Sequence, residues 1–515
     1  MKEKEGLLKS TGVVSFFTLL SRVLGLVRDV VIAHLIGATG MADAFLVAFK
    51  IPNFMRRLFA EGAFAQAFVP VLAEVKAVGN VLVARAFVSD VSGILGAILL
   101  LLTLLGSVFS HYVMMLFAPG FVNDLQKFTV ASEMLSITFP YLLFISMTAL
   151  SASILNTYGR FAISAFAPIV LNIVLIISAY IGVYTIQEPV YALAWGVLVA
   201  GLLQWVMHWP SLIKIQLWVM PKVRRGDAQV KKVFSLMLPA LFGVSVSQIC
   251  LLLDTIWASF LQTGSVSWLY YADRLMELPL GMFGIAIGTV ILPSLSKKYA
   301  QEEKDSFSHT LNWALKLVIF LGLPSAVALA VLSDEILCSL FQYGKFSWFD
   351  VQMSAQSLVA YSLGILAFML VKVLAPGYFA RQDTKTPVKS AVIAMIVNMI
   401  LSFSLMWPLQ HVGLALATSL AGWLNALQLW FGLIKNGALK MESGWFHFVF
   451  KLILAAFLMA IVLAFSSPEL ERWRDASLYM RLFFLSGLVF LGCGVYFSAL
   501  WLMGVRAHQL RLRSS

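Results

Sequence analysis

Four arginines stand in apolar stretches that otherwise read as membrane spans. Arg22 and Arg28 lie in SRVLGLVRD, Arg56 in FKIPNFMRR and Arg274 in YYADRLMELPLG. A charge at a helix centre costs roughly 2.5 to 3.5 kcal/mol on insertion scales, so such groups need a watery cavity or a partner. The planar guanidinium is the side chain suited to bidentate recognition of phosphate or carboxylate. Asp29, Asp43, Asp273 and Glu277 match the four arginines in number. Acids that orient the arginines leave the site able to take an anionic headgroup.

At about 100° per residue, Arg22 and Asp29 nearly coincide on a helical wheel, and Arg28 lies about 120° from Arg22. All three fit one arc, which cannot point at lipid, and Gly25 between them permits a bend or close packing. A second group, Asp43, Lys50, Arg56, Arg57 and Glu61, flanks Pro52, with Asn53 offering amide contacts beside it. Arg57 and Glu61 have the spacing of an intrahelical pair; Arg56 has no such internal partner. In the third group Asp273 and Glu277 stack at i, i+4 and Arg274 lies three before Glu277, so partial local neutralisation competes with a substrate-binding role. The substrate-binding candidates are therefore Arg22, Arg28, Asp29, Asp43, Asn53, Arg56, Arg274 and Glu277.

Asp254, in CLLLDTIWASF, reads either as a paired or protonated acid or as a coupling site for a proton or cation. Asn398, Ser402 and Thr418 would supply further hard oxygens, so a sodium site of Asp254, Asn398, Ser402 and Thr418 is one expectation. Lys316, Lys372 and Lys451 lie near helix ends and are expected to snorkel to the interface. His34 reads as an interfacial residue rather than a base. No GxxxxGK[ST], HExxH or GxSxG motif and no carboxylate-rich metal cluster occurs, which argues against an enzyme. Without an ATP-binding element, the driving force is an ion gradient, the membrane potential or downstream consumption. Cys250, Cys338 and Cys493 are far apart, and an odd count without CxxC spacing argues against a disulfide framework.

The elements that must position these groups follow from composition. The chain has 515 residues, of which 60% are hydrophobic and 12% charged, and a mean hydropathy of +0.89. That combination predicts an all-α polytopic membrane protein. The net charge of +12 sits in short connections, which fits inside-facing loops rather than nucleic acid. Fourteen transmembrane helices are expected, near 12–36, 42–75, 86–112, 128–156, 162–184, 189–211, 231–260, 266–296, 307–333, 351–380, 387–408, 412–434, 446–466 and 478–504. The second, eighth and tenth are long enough to be tilted or broken. MKEKEGLLKS leads into the first span without a cleavage site, so no removable signal peptide is expected.

Alternate loops carry the basic residues, from Lys2, Lys4 and Lys9 through Lys222, Arg224 and Arg225 to Arg506, Arg511 and Arg513. The opposite loops are nearly free of them, apart from Lys127, Lys345, Arg472 and Arg474. The positive-inside rule then puts both termini in the cytoplasm, as an even number of spans requires.

The chain also resembles itself at a shift of roughly 220 to 226 residues. LFAPGF at 116–121 returns as LFQYGKF at 340–346, and IVLNIVL at 169–175 as MIVNMIL at 395–401. Two pseudo-symmetric six-helix lobes plus two C-terminal helices follow: 1–221, 222–440 and 441–515. Folds of this kind hold substrate near the midplane between repeats and alternate access by rocking them, which says transporter.

SRVLGLVRD, ADAFLVAFKIPNFMRRLFAEGAFAQAFVPVLAE, GSVSWLYYADRLMELPLG and VLAPGYFARQDTKTPVK resemble the MurJ (MviN) family of lipid II flippases, within the MOP transporter superfamily. The likeness runs from about residue 8 to 440 and continues more loosely through the last two helices. It implies fourteen helices in two lobes around a central cavity, with the last two lining a groove for a polyprenyl tail. It implies undecaprenyl-pyrophosphate-linked disaccharide-pentapeptide as substrate, moved from inner to outer leaflet of the bacterial cytoplasmic membrane by alternating access. Peptidoglycan synthesis machinery and membrane lipids are the implied partners. Arg22, Arg28, Asp43, Arg56, Arg274 and Glu277 match the family's cavity residues. Some members use sodium at helices 7, 11 and 12, but Asp254 stands where others carry Asn.

The chemistry fits. The tail stays in hydrocarbon while arginines neutralise the pyrophosphate, and an inside-negative potential favours outward movement of anions by roughly 2.3 kcal/mol per charge per 100 mV. A multidrug exporter of the same architecture would want an acid-dominated aromatic cavity. A flippase for another polyprenyl-linked polysaccharide, or a scaffold for cell-wall enzymes, is an alternative.

Overall fold

The computed structural model describes residues 2–57, 64–185, 188–224 and 227–506. Glu61, Arg225, Arg511 and Arg513 lie outside the described residues, as does the side chain of Cys250. Among the described residues all regular structure is helical, in two compact units, Met1–Ser267 and Trp268–Ser515.

The first unit holds α1 (Lys2–Ile36), α2 (Gly40–Arg56), α3 (Ala65–Ala77), α4 (Val81–Val108), α5 (Ser110–Phe117), α6 (Leu125–Thr138), α7 (Tyr141–Thr157), α8 (Ala162–Thr185), α9 (Val190–Val206), α10 (Trp209–Lys214) and α11 (Ala228–Ser259). Several starts are written in the sequence. Thr39, Asn80, Asp124 and Asp227 each accept a backbone N–H of the first turn that follows, filling donors a helix leaves orphaned. Within this unit α1 packs on α8, α8 on α9 and α2 on α6. An extended segment after α10 crosses α4: Lys222 N donates to Ser89 O at 3.0 Å and Ser89 Oγ to Met220 O at 2.6 Å. A Cβ on Gly93 would sit 2.1 Å from Lys222 O, so glycine is what lets the backbones meet.

The second unit comprises most of α12 (Ser265–Pro279), a π-helical turn (Leu280–Gly284), α13 (Ile285–Ala300), α14 (Lys304–Val331), α15 (Ser333–Phe341), α16 (Trp348–Phe379), α17 (Lys385–Lys435), α18 (Trp445–Ser466), α19 (Leu470–Asp475) and α20 (Leu478–Leu502). Ser347 and Asp350 close a reciprocal capping box at the start of α16. Here α16 packs on α14 and α17, and α18 on α14 and α20.

Ten helical stretches among the described residues are long and apolar enough to cross a membrane. The expected eighth span is interrupted by the π turn, whereas the tenth runs unbroken as α16. The eleventh and twelfth are joined as α17, whose 51 residues would reach about 77 Å at 1.5 Å each, more than twice the hydrocarbon thickness. The backbone leaves the helix at Gln410, φ 50° and ψ −131°, so α17 is two rods. His411, beside the break, is anchored by Nε2 on Met353 O at 3.0 Å. The short α5, α15 and α19 were not expected.

Candidate functional site

The first polar node joins α1 to α8. Arg28 Nε and Nη2 donate to Asp29 Oδ1 at 2.9 and 2.6 Å, and Arg28 Nη1 donates to Asn172 Oδ1 at 3.1 Å. Asn172 Nδ2 in turn donates to Ser21 O at 3.0 Å, so one amide grips both the guanidinium and the α1 backbone. Arg28 is 6% and Asp29 1% exposed, while Arg22 is exposed. The wheel set Asp29 in line with Arg22, yet its carboxylate holds the sequence neighbour Arg28. A long guanidinium can fold back along a helix surface, which a wheel of Cα directions does not capture. Asn172 was not expected as a site residue. The only signal for it was the repeat, in which it matches Asn398, itself 4% exposed.

The second node is built on Asp43. Its Oδ2 accepts from Lys127 Nζ at 3.0 Å and Gly264 N at 2.8 Å, and its Oδ1 from Ser267 N at 3.0 Å and Ser267 Oγ at 2.6 Å. A carboxylate that is 0% exposed is tolerated because each oxygen has two donors and a cation stands beside it. Lys127 Nζ also lies 4.1 Å from the Phe121 ring centroid. Lys127, an exception to the loop-charge pattern, is thus an internal counter-charge, 4% exposed.

On α2, Arg56 Nε donates to Asn53 Oδ1 at 2.8 Å. Arg56, which has no acid three or four positions away, is held instead by an amide three residues back. Both side chains are half-buried, as are Lys50 and Arg57, and Pro52 is buried within the helix. The expected Arg57–Glu61 pair lies outside the described residues.

In the second unit Arg274 Nη1 donates to Glu277 Oε2 at 3.2 Å, with side chains 34% and 46% exposed. Asp273 is half-buried beside them. Just upstream, buried Trp268 donates from Nε1 to Asp350 Oδ1 at 2.8 Å, tying α12 to the cap of α16.

Of the sodium candidates, Asp254 is half-buried on α11 in the first unit. Asn398 and Ser402 are buried on the first rod of α17, and Thr418 Oγ1 on the second rod donates to Leu414 O at 3.0 Å. Ser402 Oγ is fully buried with no hydrogen-bond partner among the described residues. No group of three or more His, Cys, Asp and Glu side chains suited to a metal occurs among the described residues. Cys338 and Cys493 are free thiols. Lys316 is not a simple snorkelling lysine, since it pairs with Glu442; Lys372 and His34 are exposed.

Arg28, Arg56 and Arg274 are thus each braced by a residue one or three positions away. Bracing holds a guanidinium in a fixed orientation, which suits it to a phosphate or carboxylate.

A family model described as "Lipid II flippase MurJ" matches residues 32–484. The chain is 48% identical over 512 residues to a protein of Vibrio cholerae serotype O1 named "Probable lipid II flippase MurJ", covering 98% of each. It is 40% identical over 507 residues to "Lipid II flippase MurJ" of Burkholderia cenocepacia, covering 97% of this chain and 98% of that one. Among solved structures, "Lipid II flippase MurJ, inward closed conformation" superposes with a TM-score of 0.82 at 29% identity, covering 95% of this chain and 98% of the other. An inward-facing multidrug resistance MATE transporter of the MOP superfamily, 14% identical, has a TM-score of 0.68 over 84% of this chain and 99% of its own, a likeness of fold alone. The residues that suggested the resemblance thus sit in a match that spans almost the whole chain, and the chain belongs to the MurJ family of lipid II flippases.

Proposed function

We propose that this chain moves lipid II, the undecaprenyl-pyrophosphate-linked peptidoglycan precursor, from the inner to the outer leaflet of the bacterial cytoplasmic membrane by alternating access. The observation that carries the reading is near-complete coverage at 48% identity of a relative named as a probable lipid II flippase. The braced arginines add the chemistry such a substrate needs. Arg22, Arg28, Arg56 and Arg274 meet pyrophosphate or peptide carboxylate, while Asp29, Asp43, Asn53 and Glu277 hold their neighbours in register. The chain transports without a chemical step on its substrate.

The spans number fourteen in this reading: the ten apolar stretches, then α1, the α2–α3 pair and α11, with α17 counted as two. The termini and the Lys435 and Lys440 connection face the cytoplasm, on the strength of the basic loops. Sodium is the coupling ion. Carboxylate, amide and hydroxyl oxygens are the donors an alkali cation takes, and the fully buried Ser402 Oγ has lone pairs to offer.

Purified protein in lipid vesicles tests the substrate. Labelled lipid II should cross at least ten times faster than in protein-free vesicles, whereas the same polyprenyl pyrophosphate carrying an unrelated polysaccharide should not. Equal transport of both would replace this reading with a general polyprenyl-carrier flippase. Replacing sodium by choline should slow lipid II transport; an unchanged rate would remove sodium from it.

A further inference from the structure

A cavity of about 220 Å³ opens in the second unit where the start of α18 faces α14 and the end of α20. Its lining includes Lys316, Ser443, His447, Phe448 and Lys451. The charges there do not cancel. Lys316 is matched by Glu442, whose other oxygen lies 3.7 Å from His309 Nε2, and Lys440 nearby is matched by Asp305. Lys451 has no carboxylate partner among the described residues and lines the same space. Arg506, next to the lining residue Val505, stacks on Trp501 at 5.1 Å and adds a second cation with no carboxylate partner among the described residues. Gly444, rather than a capping side chain, precedes α18, so the first-turn N–H groups add to the positive field.

The surroundings are amphipathic. Phe446, Phe450 and Ile453 on α18 and Trp501 and Leu502 on α20 are exposed apolar side chains on the helices that bear the cations. Lys451 stands in the second turn of α18, the depth at which an ammonium reaches headgroups while its stem stays in hydrocarbon. A soluble anion would use the charge and leave the apolar surface idle.

We propose that this cavity is a docking site for the headgroup of an anionic glycerophospholipid, with Lys451 as its principal cation and the apolar flank of α18 receiving an acyl chain. Basic pockets between transmembrane helices on the side of the basic loops are a recurrent setting for such headgroups. The site shares no residue with the arginine nodes, so a resident lipid would brace α14, α18 and α20 without occupying those nodes.

The test is equilibrium binding of short-chain phosphatidylglycerol to the purified full chain in neutral detergent, with phosphatidylcholine and inorganic phosphate as parallel ligands. The wild type should bind phosphatidylglycerol at least ten-fold tighter than either. Lys451→Gln should weaken that binding about five-fold, the worth of one interfacial cation, and Lys451→Arg should preserve it. Equal affinity for the two lipids overturns the proposal without any variant, as does unchanged binding in Lys451→Gln. Inorganic phosphate binding as tightly as phosphatidylglycerol would make this a soluble-anion site. Displacement by undecaprenyl pyrophosphate with the same dependence on Lys451 would hand it to the substrate; either result contradicts the proposal. Lipid II flipping is not read here, so failure of the flippase reading would leave this result standing.

Discussion

Lys127 Nζ lies 3.0 Å from Asp43 Oδ2, the two side chains being only 5% and 1% exposed. This pair joins α2 to α6, while the other bonds of Asp43 reach Gly264 and Ser267. Asp43→Ala should cost about 3 to 5 kcal/mol, because it strands a buried ammonium and two backbone donors. Lys127→Met should cost less, since Asp43 keeps three donors. Thermal unfolding in detergent of the two single variants and the double checks this, and the double should lose less than the sum.

Asn172 is a positioning residue for Arg28. Asn172→Leu should leave folded yield near wild type yet slow lipid II transport on the order of ten-fold, because the guanidinium loses the amide that holds its Nη1. Asn172→Gln, which keeps an amide, should recover part of the rate. A rate in Asn172→Leu equal to wild type at matched protein would show that Arg28 is positioned without Asn172.

Arg481, 5% exposed on α20, donates to four carbonyls: Cys338, Gln342, Arg474 and Ala476. It holds α15 and α19 against α20, and its guanidinium lies 5.1 Å from the Tyr343 ring centroid. Arg481→Met should destabilise the protein by about 3 kcal/mol, as the buried carbonyl of Cys338 and three part-buried ones lose a charged donor. Proteolysis between α15 and α16 should quicken in parallel.

Asp334, on the short α15, has its carboxyl pushed up to about 6, first by burial and then by the neighbouring Glu335. The folded state therefore holds a proton that the unfolded chain has already released. Stability should fall as pH rises from about 4 to about 6 and then level off. Asp334→Asn should flatten that slope and raise the unfolding midpoint at pH 7, a comparison readily made across a pH series in detergent.

Much of this was legible in the chain itself. Long apolar runs marked the spans, because hydropathy is a local signal. The repeat aligns Asn172 with Asn398, yet only Asn398 read as a candidate ligand. What escaped has physical causes. Lys127 read as a stray loop charge because its partner is 84 positions away. The α5, α15 and α19 helices, of 8, 9 and 6 residues, carry no span-length signal and depend on tertiary contacts such as those of Arg481. Arg28 and Asp29 share one arc of α1, but at about 100° apart their adjacent positions give no sign of a side-chain pair.

In the proposed function, braced arginines carry the pyrophosphate of lipid II. The most direct test is the rate of labelled lipid II flipping in vesicles holding equal amounts of folded wild type, Arg28→Ala or Arg274→Ala protein. A loss of at least ten-fold is expected in each variant, with the thermal midpoint of Arg274→Ala close to wild type, since its pair is part-exposed. Flipping at the wild-type rate in both variants would contradict it.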